Sequence, residues 1–435
     1  MKAQLIFAMG LAGAVLVAQA KPLVVHEWGT FTSLQDETGR TLGGINTDDE
    51  PVPKFCHDIA RLLILGQDES RPIFIKGVYG CHPDVTMRLE TPVIYFHPPA
   101  GASAPLTASV KVAFRGGWLT QFYPAAEVDG VSDLSRLTEE ATGTLAWNDL
   151  KIGVPASGPK TADRVWTAPR AVTAAGVSAT NSESEKFLFY RGVGHLVCPL
   201  QVSRTADGRA LEARTQCQDA LASRAPLTIP RLWLASFHPD GTCAFRSLSP
   251  ITLGPQTSRA GEAPLFSTPA EFGRGEYSAA RVSALRQEMR RALEAEGLFA
   301  DEADALLNTW ELSYFKSPGL RLFFMVPRAW TDYYLPLDVS VPCEIKRAMV
   351  GRLELVTPEQ RALLTQLAQT PVPTKPWTSY EMKGINLFAH GTMPTAYRDL
   401  GRFRNALLLD EAAARPTKSL EAFIRINRLE GYPGG

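Results

Sequence analysis

The run Val25-His26-Glu27-Trp28-Gly29-Thr30-Phe31-Thr32-Ser33 sets an imidazole beside a carboxylate among β-branched and aromatic residues. A strand alternates its side chains between two faces. On that rule Val25, Glu27, Gly29 and Phe31 share one face, and His26, Trp28, Thr30 and Thr32 the other. Glu27 then lies among apolar groups, where an unpaired charge costs several kcal/mol. It must take up a proton or find a cation, and Arg88 and Arg115 on neighbouring candidate strands are available. Two chemistries fit: a carboxylate tuned for proton transfer with His26 as base, acid or ligand, or a structural Glu–Arg pair beside a rim histidine. Arg88-Leu89-Glu90-Thr91-Pro92 repeats the theme. Arg88 and Glu90 share a strand face, where they hold a polar ligand or pair with each other. His26, Glu27 and Glu90 are therefore the candidate catalytic groups.

His57 and His82 each follow a cysteine. A Cys56–Cys81 bridge would make the two imidazoles neighbours, and with His26 or Glu27 they would form an N/O site suited to zinc or copper. His97, His195, His238 and His390 adjoin proline or glycine and read as turn histidines. Pro327-Arg328-Ala329-Trp330-Thr331-Asp332-Tyr333-Tyr334 combines aromatics with a charge pair. Such clusters serve sugar and protein recognition, so Trp28, Arg88, Arg328, Trp330, Asp332 and Tyr333 form a candidate surface for a small-molecule, glycan or protein ligand. Core aromatics with an Arg–Asp pair explain the same letters. G-x-S-x-G, a P-loop, a dinucleotide fingerprint and H-E-x-x-H are all missing.

Positioning these groups begins with export. Lys2, the apolar run Leu5 to Val17 and Ala18-Gln19-Ala20 have the pattern of a signal peptide over residues 1–20. The run is shorter than the ~20 residues that span a bilayer. No later stretch is long and apolar enough to cross, so no transmembrane segment is expected after cleavage, and the protein is placed in the periplasm or outside the cell. Cysteines pair in such compartments. Ala206-Asp207-Gly208-Arg209 is a hairpin turn that sets Cys198 opposite Cys217. Cys56–Cys81 is the next most local pair, which leaves Cys243–Cys343.

Short β-prone runs bounded by glycine and proline fill the first half: Val24 to Leu34, Pro72 to Val78, Val85 to Phe96, Ala108 to Phe114, Trp118 to Tyr123, Phe187 to Tyr190, Leu227 to Phe237 and Thr242 to Leu248. Gly116-Gly117 fits a tight hairpin, and Gly153 to Ser184 reads as a long surface loop. Beyond Pro250, Val282, Leu285, Met289 and Leu293 recur at helical spacing until Gly297. Asp301 can cap a second helix, giving an αα-hairpin. Strands follow at Leu320 to Val326 and Met349 to Val356, and Thr357-Pro358-Glu359-Gln360 opens a helix with a capping box. A last helix is expected near Ser419 to Leu429. The expected fold is α+β: a sandwich-like β-rich domain over residues 21–250, then a mixed α/β domain with helical hairpins over 251–435. With 45 basic and 45 acidic residues the chain lacks the basic excess of a nucleic-acid binder.

The chain resembles a family of uncharacterised secreted bacterial proteins that share the V-H-E-W-G-T-F-T-S motif, here Val25 to Ser33. Further matching blocks are Arg88 to Phe96, Glu185 to Gly192, Pro327 to Asp332, and Val350-Gly351-Arg352 with Thr357 to Gln360. They spread over most of the mature chain. The resemblance implies secretion and points to the first block as a site; it implies no activity or cofactor. Taken together, the sequence is that of an exported globular protein that binds a small or glycan-like ligand or a partner protein, with a metal-assisted His/Glu hydrolase and a purely structural envelope protein as the alternatives.

Overall fold

The computed structural model describes residues 22–47, 50–59, 74–75, 78–101, 105–131, 133–216, 221, 227–254, 263–371, 394–427 and 429. The expected leader, Cys217, His390 and most of the Pro72 to Val78 run lie outside the described residues. The fold is α+β with a β-rich first half, organised on one 15-stranded mixed sheet. Eleven strands run across it: β1 (Leu23–Gln35), β2 (Met87–His97), β3 (Gly117–Tyr123), β4 (Thr142–Val154), β5 (Gly176–Ser178), β6 (Ser184–Glu185), β7 (Leu188–Gly194), β8 (Leu232–Phe237), β9 (Cys243–Leu248), β10 (Gly319–Met325) and β11 (Cys343–Leu355). Their spatial order is β6-β5-β4-β3-β7-β2-β1-β11-β10-β8-β9. β10 and β11 thus insert between β1 and β8, and strands from both sides of residue 250 share one sheet.

Four of the blocks singled out above supply the adjacent central strands β7, β2, β1 and β11. β1 runs antiparallel to β2 and parallel to β11. Trp28 pairs with Val93 and Thr30 with Glu90, so Thr91 and Pro92 together oppose Gly29 in a β-bulge. Proline cannot donate to a ladder, and a bulge is where a strand tolerates it. A Cβ on Gly29 would lie 3.1 Å from the Pro92 Cα, so the two residues suit each other. Gly351 serves a neighbouring ring: a Cβ there would come within 2.2 Å of Phe324.

The central strands are buried on both faces, and alternation sorts them. Val25, Phe31, Leu89, Ile94, Phe96, Leu322, Phe324, Met349 and Leu353 join one apolar cluster. Trp28, Val93, Tyr95, Phe323, Met325, Ala348 and Val350 join a second. Helices α1 (Arg164–Arg170), α2 (Ala279–Ala295) and α3 (Ala300–Thr309) cover the second face through Trp166, Leu285, Met289, Leu293, Leu306 and Leu307. A short helix α4 (Arg328–Tyr334) packs on the first face, as do α5 (Pro358–Ala368), α6 (Thr395–Asp399), α7 (Arg404–Ala414) and α8 (Lys418–Asn427).

The local signals fare unevenly. The αα-hairpin forms, and Gly297 ends α2 at φ +102°. The cap of α3, however, is Phe299, because the Glu302 carboxylate reaches back to its N–H. Thr357 caps α5 with the reciprocal Gln360 bond. The stretch from Gly153 to Ser184 is no plain loop, since it holds α1 and β5. Gly116 turns the chain, but the strands before and after it do not pair with each other; Leu106–Arg115 instead pairs with β4.

The expected disulfides do not form. Cys56, Cys198, Cys243 and Cys343 carry free thiols. Cys243 is level, through Phe237 and Gly319, with the far end of β11 near Leu355, three strands away. Cys343 begins β11, twelve residues earlier. At ~3.3 Å per residue that is ~40 Å along the sheet, and a bridge needs Cα atoms within ~7 Å. Cys56 packs with Trp28 and Trp166 on the second face. The Cys81 N–H, in contrast, bonds Asn46, and its carbonyl borders Gly44 beside Ala406 of α7. Leu200–Arg204 and Ala210–Thr215 do form the predicted hairpin, in the register Leu200 opposite Thr215. Its second cysteine is outside the described residues.

Candidate metal centre

His26 leaves the second face of β1. In the antiparallel register it opposes Tyr95, so His97, two residues on, is its diagonal neighbour on the same face. Glu302 arrives from the first turn of α3, which lies across that end of the sheet. His26 Nδ1 is 2.7 Å from Glu302 Oε2, and His97 Nε2 is 2.9 Å from Oε1. The Phe299 N–H donates to Oε2 at 2.7 Å. Both imidazoles lean on the Phe299 ring, at centroid separations of 4.7 and 4.9 Å. Phe299 is itself 48% exposed, while His26 is 2% and Glu302 fully buried. The cluster therefore sits one ring deep beneath the surface.

Burial alone would raise the Glu302 pKa, but bonds from His26, His97 and the Phe299 N–H outweigh it and hold the carboxyl below its usual range. Its place at a helix N-terminus favours the same charged form. Ligand atoms of His26, His97 and Glu302 all lie within 4.8 Å of one another, which makes this the one cluster of its kind among the described residues. Two imidazole nitrogens and a carboxylate oxygen are a donor set for zinc, copper or non-haem iron.

The other candidates are placed differently. Glu27 points to the opposite face from His26, so the two cannot act on one substrate. There it accepts a 2.5 Å bond from Arg347 Nε and a short one from the Tyr190 hydroxyl. Arg347 continues to Asp332 at 2.8 Å, and Asp332 pairs with Arg328 at 2.7 Å. Burial opposes the Arg347 charge, yet Glu27 beside it raises the guanidinium above its ordinary value. Glu90 lies 2.6 Å from Arg88, with Arg402 at 3.4 Å and Arg352 at 3.6 Å. Both carboxylates sit in buried ion pairs.

His57 pairs with Glu183 at 3.0 Å and stacks on Phe122, whereas His82 bonds the Ser135 carbonyl and meets Trp118 edge-on. Trp118 and Phe122 are four residues apart on β3, or ~13 Å. His26, His57 and His82 are thus not brought together. Nor is the aromatic set an open cleft. Trp28 is fully buried, Trp330 is 2% exposed and packs edge-on against Phe31, and Tyr333 is half-buried under Arg115.

His97 and Glu302 are the residues that sequence reasoning passed over. The parity of His26 and His97 becomes informative only once the β1–β2 register is known, and nothing local ties Glu302 to either. No protein family and no curated protein matches the chain. Among solved structures it is similar to the Fcho1 Mu homology domain of Danio rerio with a bound Eps15 peptide, at 8% identity and a TM-score of 0.31. That similarity covers 78% of this chain and 98% of the other. No helix among the described residues is long and apolar enough to cross a membrane.

Proposed function

We propose that this is an exported metal-binding protein whose centre is His26, His97 and Glu302, with a divalent ion of the zinc or copper type as its resident cation. The observation that carries this reading is the convergence of three ligand atoms within 4.8 Å from three segments distant in sequence. Two histidines and one carboxylate fill three positions and leave one for water or substrate, as in catalytic rather than structural sites. A metal held by these three residues would supply Lewis-acid chemistry. The chain's own residues do the rest. The N-terminus of α3 and the Phe299 N–H hold Glu302 ionised, and half-exposed Phe299 restricts approach to the partly exposed His97 side. Hydrolysis of a small polar substrate is the reaction class this arrangement suits best. Export is supported by the residue 1–20 pattern.

Cobalt(II) added to chelator-stripped protein tests the reading. The expected result is one equivalent bound with visible d–d bands of a low-coordinate N/O site, lost in His97→Ala. A spectrum no different from aqueous cobalt would leave the three residues as a hydrogen-bonded clamp between sheet and helix, and the proposal would fall.

A further inference from the structure

A groove opens at the other end of the sheet, where β8 turns into β9. Its walls come from the end of β8, the segment before α2, the start of β10 and the facing ends of α5 and α6. It holds about 530 Å³, within the ~300–1,000 Å³ of small-molecule sites. On one wall the exposed His238 ring lies flat on Tyr277, with centroids 3.8 Å apart and planes 12° from parallel. The Tyr277 hydroxyl donates to Ser236 Oγ at 2.9 Å, and Phe272 meets the Tyr277 ring edge-on. Arg246 covers Phe272 in turn, its guanidinium carbon 3.9 Å from the ring centroid. With Phe272 backed by a cation and Tyr277 tethered through its hydroxyl, the imidazole is held as a fixed plane in the groove wall.

The helical wall is polar. Glu359 stands in the first turn of α5, and Arg398 and Asp399 pair at 3.1 Å at the end of α6. With Arg204 and Glu271, the lining carries two guanidinium and three carboxylate groups, so neither sign dominates. Among the described residues the His238 imidazole and the Glu271 and Glu359 carboxylates have no hydrogen-bond partner, which leaves their bonding capacity to solvent or a ligand. A nucleotide or other polyanion needs a cationic surplus that this groove lacks. An aliphatic ligand would cover these polar groups without bonding them. A sugar ring matches both walls. Its C–H face lies on an aromatic plane, and its hydroxyls both donate and accept, which suits carboxylates and guanidiniums side by side. We propose that this groove binds a neutral glycan of disaccharide size. His26 is level with Lys346 on β11, while the groove reaches β11 at Leu355 through Leu320. Those positions are nine residues apart, ~30 Å along the strand, so this site and the metal centre stand or fall separately.

The test is calorimetric titration of the full mature protein with maltose, cellobiose and N,N′-diacetylchitobiose, with and without chelator. At least one of the three should bind saturably, one per chain, and equally in both conditions. His238→Ala, at an exposed turn, should weaken that binding by about twofold to tenfold. Glu359→Ala, also exposed and outside the Thr357–Gln360 cap, should weaken it by about threefold. No saturable heat from any of the three up to about 10 mM would overturn the proposal and leave a peptide segment as the alternative occupant. Affinity unchanged in both variants, or binding lost on chelation, would place the sugar elsewhere and overturn it as well. Glucose 6-phosphate binding more than about tenfold tighter than every neutral sugar would overturn the neutral class.

Discussion

Replacing Glu302 by glutamine keeps the shape of the side chain and removes its charge, which isolates what that charge does. The carboxylate accepts three bonds, from His26, His97 and the Phe299 N–H, at 2.7, 2.9 and 2.7 Å, with no solvent exposure. Bonds to a buried charged acceptor are worth about 1.5–3 kcal/mol each. The carboxamide keeps one acceptor oxygen and turns an amino group towards one imidazole, which must take the tautomer that accepts it, and the charged bonds become neutral ones. The cap on α3 weakens as well, at about 1 kcal/mol. Summed with partial retention, chelator-treated Glu302→Gln should be destabilised by about 2–4 kcal/mol. Urea unfolding followed by tryptophan fluorescence reads this as a lower midpoint. Zinc titration of the same variant should show affinity reduced by about 100-fold or more, since an anionic ligand is gone. A variant within about 0.5 kcal/mol of wild type and with unchanged zinc affinity would refute the reasoning.

Three further outcomes follow from other parts of the molecule. Breaking the Glu27–Arg347 pair with Arg347→Met should cost about 3–5 kcal/mol in urea unfolding, because it strands a buried carboxylate. Replacing both partners, Glu27→Leu with Arg347→Met, should recover much of that loss; equal damage in both variants would contradict a desolvation origin. Burial works to raise the Glu183 pKa, but bonds from His57 and the Ala125 N–H hold it below its usual range. A depressed carboxyl contributes stability that is full above its unfolded pKa, about 4.3, and is lost as pH falls through the lower folded value. Glu183→Gln should therefore flatten part of the acid-side stability profile below about pH 4.5 and leave it unchanged in slope at neutral pH; an unaltered acid limb would contradict it. Burial pushes the Cys198 and Cys243 thiols up to about 12 and about 11, and that of Cys56 higher still. In native protein at pH 8 these three should resist a disulfide reagent until unfolding, while half-buried Cys343 reacts first.

The elements were largely legible because their signals are local. Runs of β-prone residues bounded by glycine and proline predict β1, β2 and β10 to within a residue or two, and the Thr357 capping box locates α5. Where a long-range contact decided the outcome, the local reading missed. Asp301 looked like the cap of α3, but Phe299 holds that place because Glu302 is fixed by two histidines from the sheet. The Gly153 to Ser184 stretch hid α1 because seven residues are too few for a period, and its stability comes from Trp166 packing on Phe187 and Phe189. Proximity in sequence suggests the cysteine pairing, whereas the strand register sets Cys243 level with the end of β11 opposite to Cys343. The site divides the same way. His26 stood out in its own segment, but its partners lie 71 and 276 residues away, and only the β1–β2 register and the α3 docking bring them together. Glu27 reads from the sequence as a carboxylate among apolar groups and Glu90 as a face-mate of Arg88, and arginine pairing absorbs both.

The most direct measurement is the metal content of untagged mature protein purified from the export compartment without chelators, alongside His97→Ala and Glu302→Gln. Wild type should carry about one equivalent of zinc or copper per chain, and both variants should lose at least about tenfold in occupancy. Wild-type protein that folds and carries no transition metal, or variants that retain the full equivalent, would contradict it.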